Sequence, residues 1–508
     1  MVVSYRPPEI PWTVGFFFVP LWYYWLKNPG YGKIFLSGWI AQFVFSAGAF
    51  YWLTITADLF YGAPGAQAYL YLFAFSCIAH ISYPLAGVCW YYLYRKFALS
   101  QTQGLVVLVL LTTLADMLLP RIFPLSGGEP WMWSTLDVVQ LSDIIGFTGL
   151  AGLTYALNAV WLGCKSPWRA LGVNLGLMAV LCGLGYVNKL RYSDQDANLK
   201  AHLFQVNIDP IEVLTMRLGA DEAMNATLET FFNEHRPPYQ FGKPDLAIWS
   251  ETAMPFDIAH ESKYLTAFQN YVREQKIPIL TGAYRYDEQH LKHNTAALFS
   301  ADGQVVQTYD KHMLMPFGEF LPMENTFPFL RKLAPQIPTY GRGQDELPFV
   351  VGDARIGPSI CYESLFPDHF RKLTANGANM FFNISGDYWF GNSTEAYFHG
   401  LAGLERAIEF RRPMIRVADT GITTAIMADG TMLASPGIWE QWQDYVNIGY
   451  VKDPPRTFFD LYGQWWPWAL AGAGAGLLFS VGRRKARTNR SSARAPKKSR
   501  RPRKRLAA

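Results

Sequence analysis

Residues 356–366 read IGPSICYESLF. Ile356 to Ile360 has the small and apolar character of a buried strand, and it ends at the thiol of Cys361. Ser364 onward reads as the start of a helix. A cysteine at a strand-to-helix junction stands near unpaired helix N–H groups, which favour thiolate and suit a nucleophile. Taken alone, a single cysteine is as readily a core residue. Its surroundings weigh against that reading. Cys77, Cys89, Cys164 and Cys182 fall in or beside apolar runs, so Cys361 has no disulfide partner in its own segment. Five cysteines in 508 residues also exclude a disulfide scaffold.

Outward from this stretch, residues 199–455 alternate short apolar strands with amphipathic helices. Strands are expected at His202–Ile208, Leu246–Thr252, Pro278–Tyr286, Phe349–Glu363, Asn379–Ser385, Met414–Ala418, Thr423–Ala428 and Tyr445–Val451. Helices are expected at Asp221–His235, Glu261–Gln275, Phe366–Ala375 and Glu395–Arg411. Asn294–Lys311 reads as a hairpin turning at Asp302-Gly303. This alternation implies a layered α/β domain.

The flanking sequence has a different character. Half the chain is hydrophobic, 16% is aromatic and only 17% is charged, which excludes disorder over most of its length. Six apolar runs precede the domain, at about 11–26, 34–56, 68–93, 104–120, 144–163 and 170–187, near the roughly 20 residues a bilayer needs. A seventh lies at 464–482, with Trp465, Trp466 and Trp468 at its start, ahead of its apolar stretch, as membrane-interface anchors. No cleavable signal peptide is evident. Residues 483–508 carry 13 Lys/Arg and no Asp/Glu, and removing them from the net +5 leaves −8 for residues 1–482. The expected division is therefore a bundle at 1–198, a catalytic domain at 199–455, a span at 456–482 and a basic tail at 483–508. Lys27, Lys33, Arg95, Lys96, Lys165 and Arg169 fall on alternate loops, which positive-inside bias assigns to the cytoplasm. The domain is then exoplasmic and the tail cytoplasmic, where it would lock topology and touch anionic lipid rather than nucleic acid.

Two further segments carry chemistry. WSETAMP (249–255) ends a strand with Glu251, and YDKHMLMPFGEFLP (309–322) follows the hairpin with Lys311 and Glu319. Alone, Glu251 reads as a solvated or capping residue and Lys311 as a surface lysine. With ICYESLFP (360–367) they resemble the Glu–Lys–Cys triad of the nitrilase superfamily, in the same chain order. Adding NISGDYWFG (383–391), RRPMIRVADTGIT (411–423), GAFYWL (48–53) and QLSDIIGFTGLAGL (140–153), residues 10–482 resemble the bacterial apolipoprotein N-acyltransferase family. That family commonly has eight spans, where seven are found here. It also commonly carries a tryptophan early in the first loop of the domain, and Asn207–Arg217 has none.

The resemblance implies a multi-span helical membrane bundle joined to a nitrilase-like α-β-β-α sandwich, in the bacterial inner membrane with the catalytic domain on its periplasmic face. It implies Cys361 as nucleophile, Glu251 as general base and Lys311 as oxyanion stabiliser, with Glu319, Tyr362 and Glu363 supporting. Residues 383–391 would form a mobile arm, with Trp389 and Phe390 touching acyl chains. The implied reaction moves an acyl chain from a phospholipid, typically phosphatidylethanolamine, through a cysteine thioester to the α-amine of a diacylglyceryl-cysteine apolipoprotein. The alternative is a membrane-tethered carbon–nitrogen hydrolase using water on an amide or nitrile. A transporter would need polar residues in several spans, and Asp116 is the clearest candidate. No phosphate loop, dinucleotide fingerprint or HExxH pair is present, so neither cofactor nor metal is expected.

Overall fold

A computed structural model of the chain describes residues 11–63, 65–192, 195–234 and 242–494. Its α/β part contains twelve strands: β1 Ala197–Gln205, β2 Leu246–Ile248, β3 Met254–Asp257, β4 Ile279–Tyr286, β5 Lys292–Phe299, β6 Val305–Asp310, β7 Phe349–Val351, β8 Ala354–Ile360, β9 Met380–Ser385, β10 Met414–Ala418, β11 Thr424–Ile426 and β12 Trp442–Tyr450. They form two sheets. One runs β12-β1-β2-β4-β5-β6 with β3 also on β4, and the other runs β11-β10-β9-β8-β7.

Alternation along the strands explains the layering, because successive side chains face opposite sides. Leu246, Ile248, Leu280 and Leu298 of the first sheet share a buried core with Ile356, Ile360, Phe382, Ile384 and Val417 of the second. The intervening residues face outward onto helices. Ala247, Trp249, Ile279 and Phe299 pack against Phe231 of Ala220–Glu234 and against Leu265, Phe268 and Val272 of Lys263–Gln275. Phe381 and Met414 pack against Phe370 and Leu373 of Pro367–Ala375 and Ala407 and Phe410 of Thr394–Phe410. The result is the four-layer α-β-β-α sandwich.

The expected strand Phe349–Glu363 is a hairpin instead. Gly352, at φ +59°, makes a tight turn between β7 and β8, which pair antiparallel. Short β3 and the helix Ile211–Leu218 had no distinct signal in the sequence.

Among the described residues, four helices are long and apolar enough to cross a membrane: 65–96, 101–118, 137–163 and 167–192. Tyr31–Ala49 with 53–59, bent by 50°, makes a fifth if the pair is one span. Phe35, Leu36, Ile40, Val44, Leu70, Phe73, Leu175, Val180 and Leu184 are exposed on these helices, as a lipid-facing surface requires. The run expected as a first span, 11–26, is a 3₁₀ turn at Pro11–Gly15 followed by the nine-residue helix Val19–Lys27. Nine helical residues reach about 14 Å, roughly half a hydrocarbon core. The run at 464–482 lies mostly within Trp466–Arg494, one 29-residue helix that continues into the basic segment. Tail residues 495–508 lie outside the described residues.

Bundle and sandwich are tied by polar contacts as well as by the shared core. Inside Ser142–Gly163, Gly146 at φ +70° breaks the helix, and a Cβ there would lie 2.3 Å from the Phe459 ring. The next amide, Phe147 N, donates instead to Glu409 Oε1 at 2.8 Å. Arg411 donates to Asp143 Oδ2 at 2.9 Å and to Gln140 Oε1 at 2.7 Å.

Candidate active site

Glu251, Lys311 and Cys361 lie just beyond the ends of β2, β6 and β8, where the two sheets face each other. Each is buried. The chain around Glu251 is pressed against β4: Gly282 N donates to Ser250 O at 3.1 Å, and a Cβ at Gly282 would lie 2.4 Å from Thr252 N. Only glycine permits that approach.

Lys311 Nζ lies 3.3 Å from Glu251 Oε1 and 2.9 Å from Glu319 Oε1. Asn294 Nδ2 donates to the same two oxygens, at 2.6 Å and 2.9 Å. The other oxygens are also held: Gly386 N donates to Glu251 Oε2 at 2.6 Å, and Met315 N to Glu319 Oε2 at 2.8 Å. One ammonium and one amide thus fix two carboxylates in place. Burial alone would lower the Lys311 pKa, but Glu251, Glu319 and Cys361 outweigh it and raise it well above the ordinary range. The two carboxylates favour the charged form of Lys311.

Cys361 has φ +53°, a left-handed conformation that costs a non-glycine residue about 1 kcal/mol. Its surroundings enforce it. The Cys361 carbonyl accepts from Asn383 Nδ2 at 3.2 Å and Ser364 Oγ at 3.1 Å. Burial is the largest influence on the thiol and raises its pKa, Glu251 adds to that, and Lys311 opposes it without prevailing. This corrects the expectation that helix amides would favour a thiolate. The residues after Cys361 form only the 3₁₀ turn Cys361–Leu365, and desolvation dominates. The resting group is a thiol that needs a base.

Glu363 is fully buried and accepts four hydrogen bonds, from Tyr309 Oη (2.8 Å), His312 N (2.7 Å), Met313 N (2.9 Å) and Ile360 N (2.7 Å). It rivets the segment after Lys311 to the strand end before Cys361. Tyr362 points to the bundle, donating to the Ile122 carbonyl, with its ring 6.1 Å from that of Phe123. Of the segment expected as a mobile arm, residues 383–385 end β9 and Trp389 and Phe390 dock on the bundle. Thr56 Oγ1 donates to the carbonyl of half-buried Trp389 at 2.6 Å, and Phe390 packs edge-on to Trp52 at 5.0 Å.

Behind the site runs a buried polar chain whose members lie partly in the quoted runs 383–391 and 411–423 but were given no individual role from the sequence. Arg416 donates to Asn383 Oδ1 and, at 2.7 Å, to Asp387 Oδ2. His399 Nδ1 lies 2.8 Å from Asp387 Oδ1. A Cβ at Gly421 would lie 1.9 Å from Asp387 Oδ2, so glycine is required there. Burial opposes ionisation of Asp387, but Arg416 and His399 hold its pKa far below the usual carboxylate range. Asp387 N donates to Asp419 Oδ1 at 2.7 Å, and burial beside Asp387 pushes the Asp419 carboxyl up to about 7. Asn294 was unmarked too, as one of four consecutive polar residues, Lys292 to Thr295, that open β5. Among the described residues no group of three or more His, Cys, Asp or Glu side chains has the arrangement of a metal site.

The carbon-nitrogen hydrolase family profile matches residues 238–448, a range that contains all of these groups. An apolipoprotein N-acyltransferase of Bdellovibrio bacteriovorus is 33% identical to this chain, over 95% of this chain and 92% of its own length. One from Geobacter metallireducens is 29% identical over 89% of this chain and 88% of its own.

Proposed function

The chain belongs to the apolipoprotein N-acyltransferase family, and from that membership we propose a ping-pong acyl transfer through Cys361. It is a membrane-associated acyltransferase acting on lipid and lipoprotein substrates. The thiol of Cys361 attacks the sn-1 ester carbonyl of a phospholipid, phosphatidylethanolamine by preference, and Glu251 takes the thiol proton. Lys311 stabilises the tetrahedral oxyanion. As the carbon–oxygen bond breaks, Glu251 returns the proton to the leaving glycerol oxygen, giving lysophospholipid and an acyl-thioester. The α-amine of a diacylglyceryl-cysteine apolipoprotein then attacks the thioester. Glu251 accepts the amine proton, the carbon–sulfur bond breaks, and the thiolate is reprotonated.

The observation that carries this reading is the charge arrangement. Lys311 stands between two carboxylates. When Glu251 is protonated, Glu319 still neutralises Lys311 and the new charge on sulfur or oxygen meets a fixed cation in a desolvated site. Glu319 and Asn294 position Lys311 and Glu251, Glu363 and Tyr362 hold the turn that carries Cys361, and Trp389 and Phe390 form the acyl-facing edge toward the bundle.

The proposed division remains 1–198, 199–455, 456–482 and 483–508, with the catalytic domain periplasmic and the tail cytoplasmic. Contacts support that orientation. Thr56, Ile122, Gln140 and Asp143, on or beside the loops poor in Lys/Arg, hydrogen-bond the domain, which requires them to share its side of the membrane.

The test is incubation of the purified protein with phosphatidylethanolamine and a synthetic diacylglyceryl-cysteine peptide. An N-acylated peptide with stoichiometric lysophospholipid is expected. Neither acylated peptide nor lysophospholipid, with carboxylic acid and ammonia released instead from an amide or nitrile substrate, would point to the tethered carbon–nitrogen hydrolase, which the profile match over 238–448 keeps as the second reading.

A further inference from the structure

Beside the triad stands a cation whose donors are unspent. Lys292 and Asn294 are two apart on β5, so their side chains share a face about 7 Å apart along the strand. Tyr284 on β4 is directly opposite Asn294, and Tyr340 is bridged to Lys292. The Lys292 ammonium lies 3.3 Å from the centroid of the Tyr284 ring and 5.1 Å from that of Tyr340. Among the described residues it makes no ion pair and no side-chain hydrogen bond. Tyr284 Oη donates to Glu212 Oε1 at 3.2 Å, and Glu212 is exposed on the helix Ile211–Leu218. Tyr340 N donates to the main-chain carbonyl of Glu319 at 2.9 Å, so the group abuts the backbone of the residue that holds Lys311.

This is a half-buried ammonium pinned on two ring faces, with a carboxylate set a ring's length away. Burial lowers the Lys292 pKa to about 8, with Glu212 and Glu319 acting against it, consistent with a cation lacking a direct counter-ion. We propose that Lys292, Tyr284, Tyr340 and Glu212 form the subsite for a zwitterionic phosphodiester headgroup: Lys292 takes the phosphate, and Glu212 takes the terminal ammonium. The ester carbonyl and the phosphate of a glycerophospholipid are separated by the glycerol, a reach comparable with the step along β5 from the triad's Asn294 to Lys292. The inference rests on the acyltransferase reading and adds to it the chemistry by which the donor is chosen.

The test measures thioester formation by the full chain in detergent with three acyl donors: phosphatidylethanolamine, phosphatidylglycerol and diacylglycerol. Lys292→Gln should raise KM about tenfold for both phospholipids, the loss expected for a charge-assisted contact, and leave diacylglycerol unchanged. Glu212→Gln should raise KM for phosphatidylethanolamine alone. Glycerophosphoethanolamine should compete against the native protein and not against Lys292→Gln, while inorganic phosphate should not compete. Equal losses on all three donors, or none, would overturn the subsite. Equal loss of the two phospholipids in Glu212→Gln would overturn its ammonium half, and competition by inorganic phosphate would make it a phosphate site instead. If the native protein forms no thioester with any donor, the acyltransferase reading fails first and the subsite falls with it.

Discussion

Glu363→Gln should cripple the site without removing any group that handles a proton. The carboxylate accepts three hydrogen bonds at Oε1, from Tyr309, His312 and Met313, and one at Oε2, from Ile360 N. A glutamine can keep its oxygen toward the first three donors. Its NH2 must then face the Ile360 amide, so a charge-assisted bond is lost and two buried donors confront each other. A lost bond to a charged group is worth about 1.5–3 kcal/mol, and an unsatisfied buried donor costs about 1–3 kcal/mol more. Taking about 3 kcal/mol for the sum, and assigning it to the strand end that carries Cys361, thioester formation should slow by about 100-fold at 1.4 kcal/mol per decade. The assay is single-turnover acylation followed by intact mass, across pH 5–9. The rate should fall uniformly, with the shape of the pH profile unchanged. A rate within twofold of the native protein would refute the riveting role. A profile that loses one limb would make Glu363 a proton carrier instead.

Glu251→Gln should reduce acylation by about 10²–10⁴-fold, the usual contribution of a positioned base. Because burial raises the Cys361 pKa, raising the pH to 9 should not restore the rate, and rescue at pH 9 would contradict the thiol state described. Phe390→Ala removes a buried ring packed on Trp52 and His399 and should cost about 3–5 kcal/mol, read as a lower thermal midpoint in detergent; an unchanged midpoint would contradict the docked segment. Asp419→Asn bears on pH. A carboxyl whose folded pKa is raised to about 7 binds its proton more tightly folded than unfolded, so it destabilises the native state progressively as pH rises from about 4 to 7. The neutral variant should match the native protein near pH 3.5 and exceed its thermal midpoint at pH 8. A constant difference across that range would refute the shift.

Much of this architecture was legible because it rests on local periodicity. The expected helices at Glu261–Gln275, Phe366–Ala375 and Glu395–Arg411 agree with those observed to within two residues, and the strand at Met414–Ala418 agrees throughout. Glu251 and Cys361 were visible at the ends of apolar strands and Lys311 after the hairpin turning at Asp302-Gly303, and the resemblance, not periodicity, joined the three into one site. What escaped depends on long-range contacts. Asn294 sits in the polar opening of β5 between His293 and Thr295, and nothing local says that its amide will bridge two carboxylates from separate loops. The Asn383–Arg416–Asp387–His399 chain joins two strands, a 3₁₀ turn and a helix; the quoted runs 383–391 and 411–423 hold three of its members, but nothing local shows that they bond to one another or to His399. The thiol's protonation was misread because the helix-amide argument is local, while desolvation comes from the whole fold. The short start of the bundle differs because Val19–Lys27 is all the helix that forms there.

The central claim is that Cys361 carries the acyl group. The most direct measurement is intact mass spectrometry of the purified protein after incubation with phosphatidylethanolamine, with Cys361→Ala in parallel. One added acyl mass on the native protein, cleared by a diacylglyceryl-cysteine peptide and absent from the variant, is the predicted result. Peptide acylation without an adduct at Cys361, or an adduct that persists in Cys361→Ala, would contradict it.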